Sequence, residues 1–199
     1  MGGATTPTLR AYRAEALLCR AFAHFMLTNI FCLNYSKAHS ATDAGIPYAT
    51  APETTLDPKY ERGTVAEDYA KIERDLQEGM ALMGDGIYQV PRYHFNTKAA
   101  YTFASRFYLF YQKPDSVIKY STLALGGDAN ELMRDYDAMA GMPTDDMQPR
   151  AQQYVSSDEQ ANFLLFPVYS TDQYYFSGTM TGARFNNNSY IGQAEEFFA

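Results

Sequence analysis

TKAAYTFASRFYLFYQKPDSVIKYSTLALGG, residues 97–127, decides the fold assignment. Asn96 or Thr97 is placed to cap a helix whose inner face is Ala100, Phe103, Ala104, Phe107 and Tyr111, at the three- and four-residue steps that line one side of a helix. Lys113-Pro114-Asp115 is a short turn with proline where a helix can begin. A second helix runs from about Asp115 to Leu125 and stops at Gly126-Gly127. Two helices joined by so few residues pack antiparallel. Ala100, Ala104, Ser105 and Ala124 permit close approach while Tyr108 and Tyr120 supply bulk, so the pair reads as one tetratricopeptide-like hairpin.

Upstream of it, Thr64 and Glu67 are spaced as a capping box, each side chain serving the other's amide. Val65, Tyr69, Ile72, Leu76, Met80 and Met83 follow at steps of three and four and make a single apolar stripe. Glu67, Lys71 and Asp75 are expected as charge pairs on the outer side, with Gly84 ending the helix. From Leu9 to about Tyr35, the apolar residues run almost all the way round a helix, leaving a narrow polar stripe of Arg13, Arg20 and His24. That helix is expected to be buried on most sides, with His24 a structural histidine. Glu15 and Arg20 are five apart and do not face each other, so each should find its partner on another helix or on the long segment that follows.

That segment, residues 34–63, contains Pro47, Pro52 and Pro58 and has no sustained period, which predicts a long irregular insertion. Past Asn130 the periodicity weakens. One short helix is expected over Asn130–Met139, and Phe163-Leu164-Leu165-Phe166-Pro167-Val168-Tyr169 reads as a strand held to an edge or an end by Pro167. The expected fold class is mainly α: tetratricopeptide-like hairpins over 1–139 with the loop 34–63 inserted, and an irregular region with a short β element over 140–199 in the same domain.

Composition narrows the function. Of 199 residues, 16 are lysine or arginine and 23 aspartate or glutamate, and the net charge of −7 repels phosphate backbones, so nucleic acid is excluded as a partner. The most apolar stretch, Ala14–Leu33, is broken by Glu15, Arg20 and His24 and does not read as a membrane span. The start, Met1-Gly2-Gly3-Ala4, does not have the pattern of a signal peptide. Cys19 and Cys32 lie thirteen positions apart in one helix, about 20 Å at 1.5 Å per residue, too far to pair. They are expected to be small core residues.

Catalytic signatures fail in turn: there is no G-x-S-x-G, G-x-G-x-x-G, P-loop, H-E-x-x-H or C-x-x-C. His24, His39 and His94 lie on separate elements and do not suggest zinc, and Asp135/Asp137 and Asp145-Asp146 lack the spacing of a calcium loop. The expectation is no enzyme, no metal and no cofactor. The 17 tyrosines and 13 phenylalanines point elsewhere. Tyr174, Tyr175 and Phe176 are consecutive and cannot all enter one core. Flat rings beside amide and guanidinium donors such as Arg184, Asn186 and Asn187 hold a sugar by stacking on its C–H face and bonding its hydroxyls. Tyr174, Tyr175, Phe176, Arg184 and Asn187 are therefore the candidate ligand-binding residues. The alternative is a helical-repeat scaffold for a protein or peptide partner, with those rings packed inside.

Four stretches, in order, carry a resemblance. Arg13-Ala14-Glu15-Ala16-Leu17-Leu18-Cys19-Arg20-Ala21-Phe22 resembles a helix of the SusD/RagB family, including its Glu and Arg. Gly45-Ile46-Pro47-Tyr48 is similar to the G-x-(I/V)-P segment that follows it. Arg62-Gly63-Thr64-Val65-Ala66-Glu67-Asp68-Tyr69 with Ile72 and Asp75-Leu76, and Lys98 through Phe110, resemble two further family helices. The resemblance implies a cell-surface lipoprotein that captures glycans, or sometimes peptides, and caps a SusC-like TonB-dependent outer-membrane transporter. In that arrangement the helices contact the channel and no bond is broken. It also implies that this chain is a fragment or a truncated form, joined to the membrane only through a lipid anchor on a part not present here. Without tryptophan and the upstream segment, starch is not the expected ligand; a neutral oligosaccharide is.

Overall fold

In the computed structural model, the residues that can be described are 6–142 and 152–165. Helix α1 spans Pro7–Phe31, α2 Val65–Leu82, α3 Thr97–Phe110, α4 Pro114–Leu125 and α5 Tyr136–Ala140. Helices α1, α2 and α3 begin where the sequence offers a cap, and α4 begins at Pro114. The Thr6 hydroxyl accepts the Leu9 amide with Pro7 in the first turn, the Thr64–Glu67 box closes in both directions, and Asn96, not Thr97, accepts the Ala99 amide at 3.0 Å. Gly126, at φ 70°, ends α4 in a conformation that favours glycine.

α1 and α2 pack antiparallel, as their partners show: Arg13 reaches Glu78, Arg20 reaches Asp75, and Tyr69 reaches Asn29. Small residues allow the approach. A Cβ on Gly79 would lie 2.9 Å from Leu18 Cγ and 3.2 Å from the Ala14 carbonyl oxygen. α3 and α4 form the expected hairpin, with Tyr108 and Tyr120 stacked at 5.4 Å and 3° and Ser105 and Ser121 hydroxyls 2.6 Å apart. Lys113, in the turn between them, bonds both oxygens of Glu73 on α2 at 2.8 and 3.0 Å. The core is aromatic: Phe25, Phe103 and Phe107 meet edge to face or tilted, and Tyr69 stacks on Phe107 at 5.7 Å.

Several expectations need correction. α1 is not buried on most sides: Ala11, Ala14, Leu18, Ala21 and Phe25 are inside, but Leu27, Ile30 and Phe31 are exposed, the last two at 64% and 69%. Among the described residues, α2 covers one side of this helix, with α3, the connector before it and residues 45–50 of the insertion at its margins, and its second apolar side faces outward. Cys19 is on that outer side and is not a core thiol, whereas Cys32 is half-buried against the core. Asp75 is 1% exposed and faces α1, because it has a guanidinium to meet there. The stretch Asn130–Met139 is split into a 3-10 turn, Ala129–Leu132, and α5. No strand occurs among the described residues; the isolated bridge between Ala44 and Thr64 is the nearest approach. Phe163–Leu165 is irregular and held by two single bonds, Leu165 N–H to the Arg92 carbonyl at 2.7 Å and the Asn96 amide to the Phe163 carbonyl at 2.6 Å. The rest of the expected strand, Phe166–Tyr169, lies outside the described residues.

Substituting Gly79→Val should force α1 and α2 apart at Leu18 and Ala14 and cost about 2 kcal/mol, in the range of overpacked cores. Urea denaturation should show a lower midpoint at unchanged slope.

Candidate functional site

The described polar chemistry gathers at two nodes on α1. At the first, the Asp75 carboxylate accepts from Arg20 Nε at 2.6 Å, Arg20 Nη2 at 2.8 Å and the Tyr48 hydroxyl at 2.8 Å. A third guanidinium nitrogen donates to the Thr50 carbonyl at 3.2 Å. Burial, and then the adjoining carboxylate, push the Tyr48 hydroxyl well above its ordinary range, so it remains a donor. His24 is structural, as expected. Its Nδ1 lies 2.8 Å from the Arg20 carbonyl and its Nε2 accepts the Ala49 amide at 3.0 Å, a pair of contacts that requires the proton on Nδ1. The ring stacks on Tyr48 at 3.9 Å.

Two turns away on α2, the buried Asp68 accepts the Ile46 amide at 2.7 Å through Oδ2, while Oδ1 has no partner among the described residues. Burial raises its carboxyl above the usual range. Gly45 is required here, because a Cβ would stand 2.3 Å from Asp68 Oδ2 and 2.7 Å from the Thr64 carbonyl oxygen. Together these bonds strap residues 45–50 of the long insertion onto the first helix pair.

The second node is Glu15. It accepts from His94 Nδ1 at 3.0 Å, the Phe95 amide at 3.2 Å and the Tyr88 hydroxyl at 3.3 Å, with Tyr88 stacked on His94 at 4.1 Å. Arg20 thus meets the helix and loop expected of it, whereas Glu15 finds its partners in the connector between α2 and α3. Both oxygens of Asp75 and of Glu15 and both ring nitrogens of His24 are engaged within the chain, so these nodes position segments. No cluster of three His, Cys, Asp or Glu side chains able to hold a metal occurs among the described residues. No described helix is long and apolar enough to cross a membrane.

The candidate ligand-binding residues Tyr174, Tyr175, Phe176, Arg184 and Asn187 all lie outside the described residues. What the structure adds is surface. A depression of about 260 Å³ is walled by Phe22, Phe103, Phe163 and Leu164, and a second of about 340 Å³ by Leu109, Ala124 and Leu125. Thr102, Arg106 and Phe163 line both, which makes them one groove along α3. Sequence periodicity missed it because its walls come from α1, α3, α4 and residues 161–164, which only the folded chain brings together.

Residues 3–109 match the SusD-like family described as starch-binding and associating with the outer membrane. The chain belongs to this SusD-like family. Solved structures share the fold. A SusD-like carbohydrate-binding protein of Bacteroides vulgatus aligns over 92% of this chain and 37% of its own, at 20% identity and a TM-score of 0.64. A SusD superfamily protein of Bacteroides thetaiotaomicron aligns over 71% and 30%, at 22% identity and 0.59. A candidate sugar-binding protein of Bacteroides vulgatus aligns over 66% and 28%, at 30% identity and 0.54. The chain therefore spans about a third of the length of these relatives. No curated protein matches it.

Asp75→Ala leaves a guanidinium and a buried hydroxyl without their acceptor and should cost about 3 kcal/mol, against about 1 kcal/mol for Tyr48→Phe, both read by urea denaturation. Asp68 gives a pH signature. Its folded carboxyl binds a proton more tightly than the unfolded one, so its contribution to stability is present in acid and is lost as pH rises through the raised value. Asp68→Asn keeps an acceptor for the Ile46 amide without the buried charge. The variant's stability relative to the parent should therefore rise from acid to neutral pH, and a difference that stays flat across that range contradicts the assignment.

Proposed function

We propose that this chain is part of a non-enzymatic cell-surface binding protein that captures oligosaccharide and works with a SusC-like TonB-dependent outer-membrane transporter, anchored by lipid in the whole protein. The observation that carries the reading is the family match over residues 3–109, in a family described as starch-binding and associating with the outer membrane. The names of two fold relatives, one carbohydrate-binding and one a candidate sugar binder, support the same ligand class. The helical platform supplies rigidity: its buried polar groups are spent on strapping the long insertion and the connector, and its aromatic core is closed.

In this reading the tetratricopeptide-like helices serve docking to the channel. Residues 140–199, as part of the same domain, supply the grip. Tyr174, Tyr175 and Phe176 stack on sugar rings while Arg184 and Asn187 bond hydroxyls, each contact weak alone and useful in combination. A net charge of −7 favours a neutral glycan over an acidic one.

Affinity electrophoresis through gels containing neutral polysaccharides should retard the chain on at least one of them. Tyr175→Ala should weaken that retardation by roughly five- to ten-fold, as the loss of one ring contact of about 1 kcal/mol predicts. Retention unchanged by substitution of Tyr174, Tyr175 and Phe176 together would remove these residues from the site.

A further inference from the structure

We infer that the groove along α3 docks an acidic amphipathic segment of a partner protein. The argument begins with what its polar groups have left to give. Ser105 and Ser121 bond each other at 2.6 Å, and the Thr102 hydroxyl donates to the Lys98 carbonyl at 2.9 Å. A sugar in the groove would bring many hydroxyls to walls made of Phe22, Phe103, Phe163, Leu109 and Leu125, with few groups free to answer them. The occupant must instead offer an apolar body.

It must also offer negative charge. Arg106 lines both halves of the groove and is exposed, with no carboxylate or carbonyl partner among the described residues. Lys98, two turns earlier on α3, is exposed as well; its ammonium stands 5.7 Å over the Phe163 ring and has no carboxylate partner among the described residues. These two cations edge an apolar groove in a chain whose net charge is −7, and the local sign is opposite to the whole. The lining runs from Ala99 to Leu109 on α3, about 15 Å at 1.5 Å per residue, which suits about three turns of a partner helix with leucine-type anchors and flanking carboxylates. Charge complementarity of this kind selects partner and register more than it adds raw affinity.

The test uses the full chain and two labelled helical peptides with the same leucine stripe, one flanked by glutamates and one by lysines, titrated by fluorescence anisotropy at physiological salt. Net charge alone would favour the lysine peptide. The groove predicts the reverse, with the glutamate peptide binding at least roughly ten-fold tighter. Lys98→Glu with Arg106→Glu should abolish that preference, while Lys37→Glu with Lys59→Glu, which changes net charge equally on the exposed insertion, should leave it intact. Both variants are surface changes, and circular dichroism should show the parent's helicity. The inference is overturned by tighter binding of the lysine peptide, by no saturable binding of the glutamate peptide, by indifference to the Lys98 and Arg106 reversal, or by saturable binding of dodecanoate without the peptide.

Discussion

The Asp75 carboxylate is the contact on which the arrangement of the first helix pair depends. It is almost fully buried, and an ionised group in that position is tolerable only with its lone pairs filled. Arg20 from α1 and Tyr48 from the long insertion fill them, so one carboxylate ties together three parts of the chain that are 27 to 55 residues apart in sequence. Removing the acceptor would leave a half-buried guanidinium and a desolvated hydroxyl, which is why the three groups stand or fall together. The neighbouring bonds of His24 to Ala49 and of Asp68 to Ile46 extend the same strap along the insertion. The insertion thereby becomes part of the platform.

The other organising feature is asymmetry. The aromatic core between α1, α2 and α3 is closed, whereas the far side of α1 and the groove along α3 remain apolar and exposed. Exposed apolar patches of that kind mark surfaces that another surface covers. The chain spans about a third of the length of its fold relatives. The two cations at the α3 groove give one of these surfaces a sign opposite to that of the whole chain.

Membership of the SusD-like family and the helical fold agree. The family match covers α1, α2 and nearly all of α3. Three of the four stretches that carry the resemblance are also those that the structure uses for its straps. Arg20 in the first and Asp75 in the third meet each other, and Gly45-Ile46-Pro47-Tyr48 is the segment fastened between them. The residues that make the family recognisable are thus largely architectural. The residues proposed to grip a sugar, Tyr174 to Asn187, lie elsewhere in the chain.

The sequence by itself determined what local physics can encode: where helices start and stop, which residues cap them, and that α3 and α4 turn back on each other. The Thr64–Glu67 box follows from spacing alone, because both partners lie within the first turn of one helix, and spacing narrowed the α3 cap to Asn96 or Thr97, of which the structure uses Asn96. Aromatic content and negative charge likewise set the class of ligand to look for. Only the tertiary structure decided which face of an all-round apolar helix goes inside, since α1 offers two apolar sides and α2 covers one. Tertiary contacts also drew Asp75 inward against its outward place in the pattern, left Cys19 outside, kept Phe163–Leu165 from becoming a strand, and assembled the α3 groove from four separate parts of the chain. Each of these depends on a partner many residues away, and hydrophobic periodicity carries no information about what stands opposite.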